Sequence, residues 1–166
     1  LGARSINETI QNNLGQFAAA NIQLIWQTGK PNASKYVQAA RDYSNVYVSS
    51  FIDNMSAAYT AADAVVSRSG AMAVAEICIT GKPCVFVPYP FAAEDHQTFN
   101  AMSLVKEGAA LIVSDKDVKE SLMSKIMSLV QDNDLANNIQ NKIKDFAKLD
   151  ADILIAESII QAVQKN

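Results

Sequence analysis

The feature that most constrains this chain is an alternation. Five short apolar runs, Asn21-Ile22-Gln23-Leu24-Ile25-Trp26-Gln27, Val46-Tyr47-Val48, Ala64-Val65-Val66-Ser67, Val85-Phe86-Val87 and Ala110-Leu111-Ile112-Val113, are spaced by helix-like segments. The runs are short, β-branched and apolar on both faces, as parallel strands covered by helices must be. The helix-like segments cover 4–19, 33–42, 55–62, 70–80 and 95–107. Strand and helix in turn at this spacing predict an α/β fold, a doubly wound parallel sheet with right-handed crossovers.

After Val113 the pattern becomes helical throughout. Val118, Leu122, Ile126, Leu129 and Val130 recur at helical spacing over 117–131, and 134–148 and 151–164 read as two more helices. These are expected to pack on the sheet or its neighbours. With no repeat, low-complexity tract or linker, residues 1–166 read as one domain. The chain opens Leu1-Gly2-Ala3-Arg4 with no methionine. The first helix then has no strand in front of it, although a doubly wound fold wants one there. The reading is a chain cut inside a strand–loop–helix unit.

Composition narrows the partners. A net charge of −3 with no block of like charges gives no basic face, so no nucleic-acid partner is expected. A small anion bound by a few local donors remains compatible. Cys78 and Cys84 stand in no CxxC pair and near no second metal ligand, and His96 is the single histidine. Both cysteines read as small core residues of a reduced protein, and no metal site is expected. No apolar run approaches the ~20 residues of a membrane span, and no signal peptide is expected.

Four loops follow the carboxyl ends of predicted strands or open the first helix, the edge where open α/β sheets bind ligands. At Gly2, Ala3 and Arg4 small residues at a helix start expose N–H groups to an anion; a frayed terminus is the alternative. In Phe51-Ile52-Asp53-Asn54-Met55, Asp53 or Asn54 can cap the next helix. Phe51 and Ile52 either line a flat aromatic ligand or plug the loop. The third loop is the most informative. A strand ends at Arg68, Ser69 and Gly70 make a turn, and Ala71 and Met72 open a helix whose first N–H groups suit a phosphate. Glu76, roughly 9 Å further along at ~1.5 Å per residue, can accept two hydrogen bonds from a ribose diol. Its apolar neighbours Val74, Ala75, Ile77 and Cys78 weigh against a plain solvated face. In the fourth loop two prolines precede Asp95, a plausible cap for a helix whose first turn carries His96 and Gln97. Those suit sugar hydroxyls, but ordinary capping and surface polarity explain them as well. No loop carries a Walker lysine motif, a Ser-His-Asp set or a DxD-like acidic pair, so binding through helix N-termini without a metal fits best.

Taken together, the motifs resemble a known family. Leu1-Gly2-Ala3-Arg4-Ser5-Ile6-Asn7, Trp26-Gln27-Thr28-Gly29-Lys30, Phe51-Ile52-Asp53-Asn54-Met55, Arg68-Ser69-Gly70-Ala71, Glu76 and Asp95-His96-Gln97-Thr98-Phe99-Asn100-Ala101 look like motifs of the MurG-type glycosyltransferases, in order and at matching separations, over residues 1 to about 150. The resemblance implies a Rossmann-like domain, the C-terminal, donor-binding half of a two-domain GT-B enzyme. It implies UDP-N-acetylglucosamine as donor and no cofactor. It also implies a lipid-linked muramyl-pentapeptide acceptor held by an N-terminal domain, and peripheral attachment to the cytoplasmic face of the bacterial inner membrane. By the same resemblance, backbone groups at Ile52 hold the uracil edge and Glu76 the ribose. Arg68, Ser69, Gly70, Ala71 and Met72 lie along the diphosphate and sugar, and His96 and Gln97 contact the N-acetylglucosamine. Ala73 stands where some members carry threonine, and His96 where some carry glutamine.

The implied reaction is an inverting transfer. No catalytic residue is expected in this chain, because the general base belongs to the other domain, so these residues alone are expected to bind UDP without transferring sugar. Competing readings are a diacylglycerol glycosyltransferase, a UDP-N-acetylglucosamine epimerase, a non-catalytic donor-binding subunit and a plain interaction module.

Overall fold

The computed structural model describes residues 3–164. Helices α1 (Arg4–Asn12) and α2 (Leu14–Ala19) lead into β1 (Leu24–Gln27). Then come α3 (Ala33–Ala40), β2 (Val46–Ser49), α4 (Met55–Ala61), β3 (Val65–Ser67), α5 (Ala71–Thr80), β4 (Cys84–Phe86), α6 (His96–Val105) and β5 (Leu111–Ile112). Three helices follow: α7 (Val118–Gln131), α8 (Asn133–Ile143) and α9 (Ala151–Gln164). All pairings are parallel, the arrangement that helical connections between neighbouring strands require.

The strands form two groups. β1 pairs with β2, and β3, β4 and β5 pair in that order. A single continuous sheet was the expectation; instead a cleft of about 820 Å³ separates β1 from β3, lined by Ile10, Ile25, Val66, Ile126 and Leu129 among others. The interruption lies where the doubly wound order places the strand that feeds the first helix.

β4 is the centre of the fold. Its residues and Val87, which follows it, are buried and alternate between two cores. Val85 and Val87 join Ile6, Ile10, Phe17, Trp26, Val118, Leu122 and Leu129 on one side. Cys84 and Phe86 join Tyr59, Ile77, Cys78, Leu104 and Ile143 on the other. Both cysteines are free and buried, and burial raises the pKa of each thiol. α5 ends in a Schellman motif. Gly81 takes a left-handed φ of +63°, its N–H donating to Cys78 and that of Lys82 to Ile77. A residue with a Cβ is strained in that conformation.

Two predicted helices differ. The segment 4–19 breaks at Asn13, where φ is −121°. The Asn13 side chain donates to the Thr9 carbonyl at 2.7 Å, the acceptor its own N–H would use in a continuous helix. The N–H turns to Ile10 instead. This is the local competition that makes asparagine a poor interior helix residue. The last helix, α9, does not pack as α7 and α8 do: all its residues are exposed. Its apolar residues spread around the helix, with Ile153, Ile155, Ile159, Ile160 and Val163 all open. Among the described residues no helix is long and apolar enough to cross a membrane.

One buried polar link ties the first helix to the sheet. Asn7 is 4% exposed. Its amide donates to the Thr28 carbonyl at 2.8 Å and accepts from the Trp26 indole N–H at 2.9 Å. Asn7→Ala leaves a buried donor and a buried acceptor unpaired, each costing about 1–3 kcal/mol. Urea unfolding is expected to show a loss of about 2–4 kcal/mol, against less than about 0.5 kcal/mol for the exposed Asn138→Ala.

Candidate functional site

Because the strands run parallel, the loops after them gather at one edge of each sheet group. Side chains tie those loops together. Arg68, the residue after β3, donates through Nη1 to the carbonyls of Val87 and Pro88 at 3.1 and 3.0 Å and to Asp115 Oδ1 at 2.6 Å. Its Nη2 donates to Ser5 Oγ at 3.1 Å, and Ser5 itself donates to Asp115 at 2.6 Å. One guanidinium thus fastens the loops after β3, β4 and β5 to the start of α1. The Arg68 side chain is only 18% exposed, and its buried Nε has no partner among the described residues. The planar fork is engaged with the protein itself.

The turn after Arg68 divides its work between two residues. Ser69 is fully buried, and its hydroxyl donates to the Gln97 carbonyl at 2.8 Å while its own carbonyl accepts from Asn100 at 3.0 Å. It joins the start of α5 to the first turn of α6 and turns its side chain inward. Gly70, the residue before α5, has φ −64° and ψ 150°, which any residue adopts. A Cβ there would meet only Gln97 Nε2, at 3.9 Å. No protein contact requires the glycine; what it leaves open is the approach to the first-turn N–H groups of α5. These have no side-chain cap and face an edge where Ala71 and Met72 are exposed. Unpaired N–H groups at a helix start attract anions.

Gln97 completes this corner. Its Oε1 accepts from the Tyr89 N–H at 3.0 Å, which turns Nε2 toward Gly70. This contact holds the amide donor in place. The preceding loop reaches this position through two consecutive left-handed residues, Glu94 at φ 50° and Asp95 at φ 53°, each strained by roughly 1–2 kcal/mol. The expectation that Asp95 caps α6 is not met. Its carboxylate accepts no backbone N–H but takes the Thr98 hydroxyl at 2.6 Å, because left-handed backbone directs it away from the helix end. His96 is exposed, with Nδ1 2.7 Å from the Ala93 carbonyl. A carbonyl only accepts, so Nδ1 carries the proton. Nε2 of the neutral ring is then an acceptor for a hydroxyl.

Glu76 lies on the exposed face of α5, and its Oε2 accepts from the Tyr59 hydroxyl at 3.2 Å. The Tyr59 ring sits in the second core. Burial first, and then the Glu76 charge, push the phenol pKa well above its ordinary value. Ile52 N–H is engaged by Gln27 Oε1 at 2.8 Å, and Asn54 rather than Asp53 caps α4. Of the first loop, Gly2 lies outside the described residues. Ala3 is half-buried and precedes α1, while Arg4 turns along its own helix to Glu8 at 2.8 Å. Among the described residues no group of three His, Cys, Asp or Glu side chains is placed to hold a metal.

Tyr59 and Asp115 stand in no sequence motif, and Ser5 and Gln27 stand in motifs without an assigned role. Each acts on a partner 17 to 110 positions away, and no local spacing carries that signal.

The arrangement has counterparts. The glycosyltransferase family 28 C-terminal domain matches residues 1–153. The chain belongs to this family. Its relatives include proteins of Parabacteroides distasonis, 41% identical over all of this chain and 46% of their length, and Cytophaga hutchinsonii, 40% identical over all of it and 44% of theirs. Both bear the name UDP-N-acetylglucosamine–N-acetylmuramyl-(pentapeptide) pyrophosphoryl-undecaprenol N-acetylglucosamine transferase. A crystal structure of Acinetobacter baumannii MurG superposes on the whole chain with a TM-score of 0.80 at 28% identity, over 47% of that protein. The family 28 chain described here thus spans about half the length of the relatives it matches, and its α/β architecture is that of a GT-B C-terminal domain.

The Arg68 geometry predicts a stability phenotype. Arg68→Ala removes a charged donor from two carbonyls and a carboxylate and is expected to cost about 2–3 kcal/mol. Arg68→Lys is expected to recover less than half, since an ammonium lacks the planar fork. Thermal and urea unfolding of the two variants check this.

Proposed function

We propose that this chain is the donor-binding half of an inverting glycosyltransferase. Residues 1–166 form the UDP-N-acetylglucosamine domain, and an acceptor-binding domain lies outside them. The full protein moves N-acetylglucosamine onto a lipid-linked muramyl-pentapeptide in peptidoglycan synthesis, at the cytoplasmic face of the bacterial inner membrane. The names of the relatives support this substrate pair. The observation that carries the reading is the uncapped start of α5, with Gln97 Nε2 held beside Gly70 by the Tyr89 N–H and Glu76 on the same helix.

In this reading the diphosphate rests on the first-turn N–H groups of α5. The acceptor 4-hydroxyl oxygen bonds to the anomeric carbon as the bond from that carbon to the UDP oxygen breaks. The hydroxyl proton goes to a base supplied from outside this chain, and UDP leaves with the bonding pair. Negative charge grows on the diphosphate during the step. N–H dipoles already pointing at it stabilise that charge without reorganising. The Gln97 amide adds a fixed donor, and His96 Nε2 accepts a sugar hydroxyl. Glu76 takes the ribose diol, and the backbone at Ile52 takes the uracil edge. The domain works without a metal or cofactor, and no nucleic acid is a partner.

Calorimetric titration with UDP-N-acetylglucosamine tests the proposal. Glu76→Ala is expected to weaken binding by about 1.5–3 kcal/mol, the range for hydrogen bonds to a charged group. An unchanged affinity removes Glu76 from the site. The 166-residue chain is expected to bind the donor but to transfer no sugar to the lipid-linked acceptor, and turnover by it alone overturns the division of labour.

A further inference from the structure

We propose that Tyr59 is a positioning residue for nucleoside recognition: its hydroxyl holds the Glu76 carboxylate in the orientation that accepts a ribose diol. The inference rests on the UDP-sugar reading of the α5 site. A glutamate on an exposed helix face has three rotatable bonds and no reason to point one way. Here one oxygen is tied. Tyr59 comes from the neighbouring helix α4 and is 9% exposed, its ring packed in the core that holds Ile77, Cys78, Cys84 and Phe86. The ring cannot swing, so the hydroxyl that emerges from the core is a fixed donor, 3.2 Å from Glu76 Oε2.

The protonation of the pair sets its direction. Burial and the adjacent carboxylate both oppose loss of the phenol proton, so Tyr59 is the donor and Glu76 the acceptor. A carboxylate has about four lone-pair sites. Tyr59 uses one on Oε2, which leaves both sites on Oε1 and the second on Oε2 open to a ligand. A vicinal diol presents two donors to such acceptors. A buried tyrosine needing any partner for its hydroxyl would be served by water at the rim. The placement against the single acidic residue of this helix makes recognition the better account.

The test uses four forms of the 166-residue chain, titrated with UDP and with 2′-deoxy-UDP: wild type, Tyr59→Phe, Glu76→Gln and the double variant. The wild type is expected to prefer UDP. Tyr59→Phe is expected to lose about 3- to 10-fold in UDP affinity and little toward the deoxy ligand, so the preference shrinks by that factor. The double variant is expected to bind UDP no more weakly than Glu76→Gln, as two residues acting through one contact require. Full preference retained in Tyr59→Phe, or equal loss for both ligands, overturns the positioning role and leaves the donor site standing. A wild type that binds UDP and does not distinguish the two nucleotides defeats the ribose role of Glu76 and this inference with it. No UDP binding by the wild type defeats the site reading as a whole. A readout independent of any variant is the tyrosine ring-carbon NMR signal of Tyr59 in the wild type, expected to move on adding UDP and to stay in place with 2′-deoxy-UDP.

Discussion

The ligand edge of this domain depends on how Arg68 is used. Its guanidinium is a permanent cation in a part-buried position, and such a charge must be matched. The match comes from Asp115, from the carbonyls of Val87 and Pro88, and through Nη2 from Ser5. These partners belong to two loops and a helix start, and Arg68 itself to a third loop. Satisfying one charge therefore fixes four pieces of chain relative to one another. A lysine would reach one or two of these partners, whereas the fork reaches all of them. These bonds tie the loops on either side of the α5 start and the Gln97 corner to one another.

Under the proposed reading, with the arginine committed to the scaffold, an anion at this edge meets helix-start N–H dipoles. That suits a chain of net charge −3. Unpaired N–H groups at a helix start and a clamped amide act at contact distance, so overall charge has little say in whether a diphosphate binds. Dipoles fixed in the fold also need no rearrangement when charge develops on a leaving group, which is where they contribute most to a transfer reaction.

What was legible in the sequence follows from the range of the forces involved. The five strands were found within a few residues because their runs are short, apolar and β-branched, although only β4 is buried throughout and Ile25 on β1 and Tyr47 on β2 are exposed. The carboxyl-edge loops followed from their order. The α5 turn was legible because small residues after a strand have few other uses. The break at Asn13 was not, since it depends on one side chain taking a carbonyl from its own backbone. Nor was the left-handed turn at Glu94 and Asp95 that withdraws the expected cap. The interruption between β1 and β3 is a matter of pairing, and pairing leaves no periodicity. Tyr59 reads as an ordinary apolar helix residue; only the packing of α4 on α5 reveals that its hydroxyl meets Glu76.

At the Ile52 loop the proposed base site already holds an internal hydrogen bond. The Ile52 N–H is satisfied by Gln27 Oε1 at 2.8 Å, an amide carbonyl of the same kind that a pyrimidine presents on its edge. Under the proposed reading, base binding exchanges one carbonyl for another, so the hydrogen-bond count at Ile52 does not change. Net stabilisation at that point must come from what the exchange adds: apolar contact with the exposed Phe51 ring and release of the glutamine side chain to water. Selectivity for a base then resides in the shape of the Phe51–Asn54 loop, which the Asn54 cap on α4 holds in place. The N–H donor alone, satisfied equally well by any carbonyl, does not discriminate.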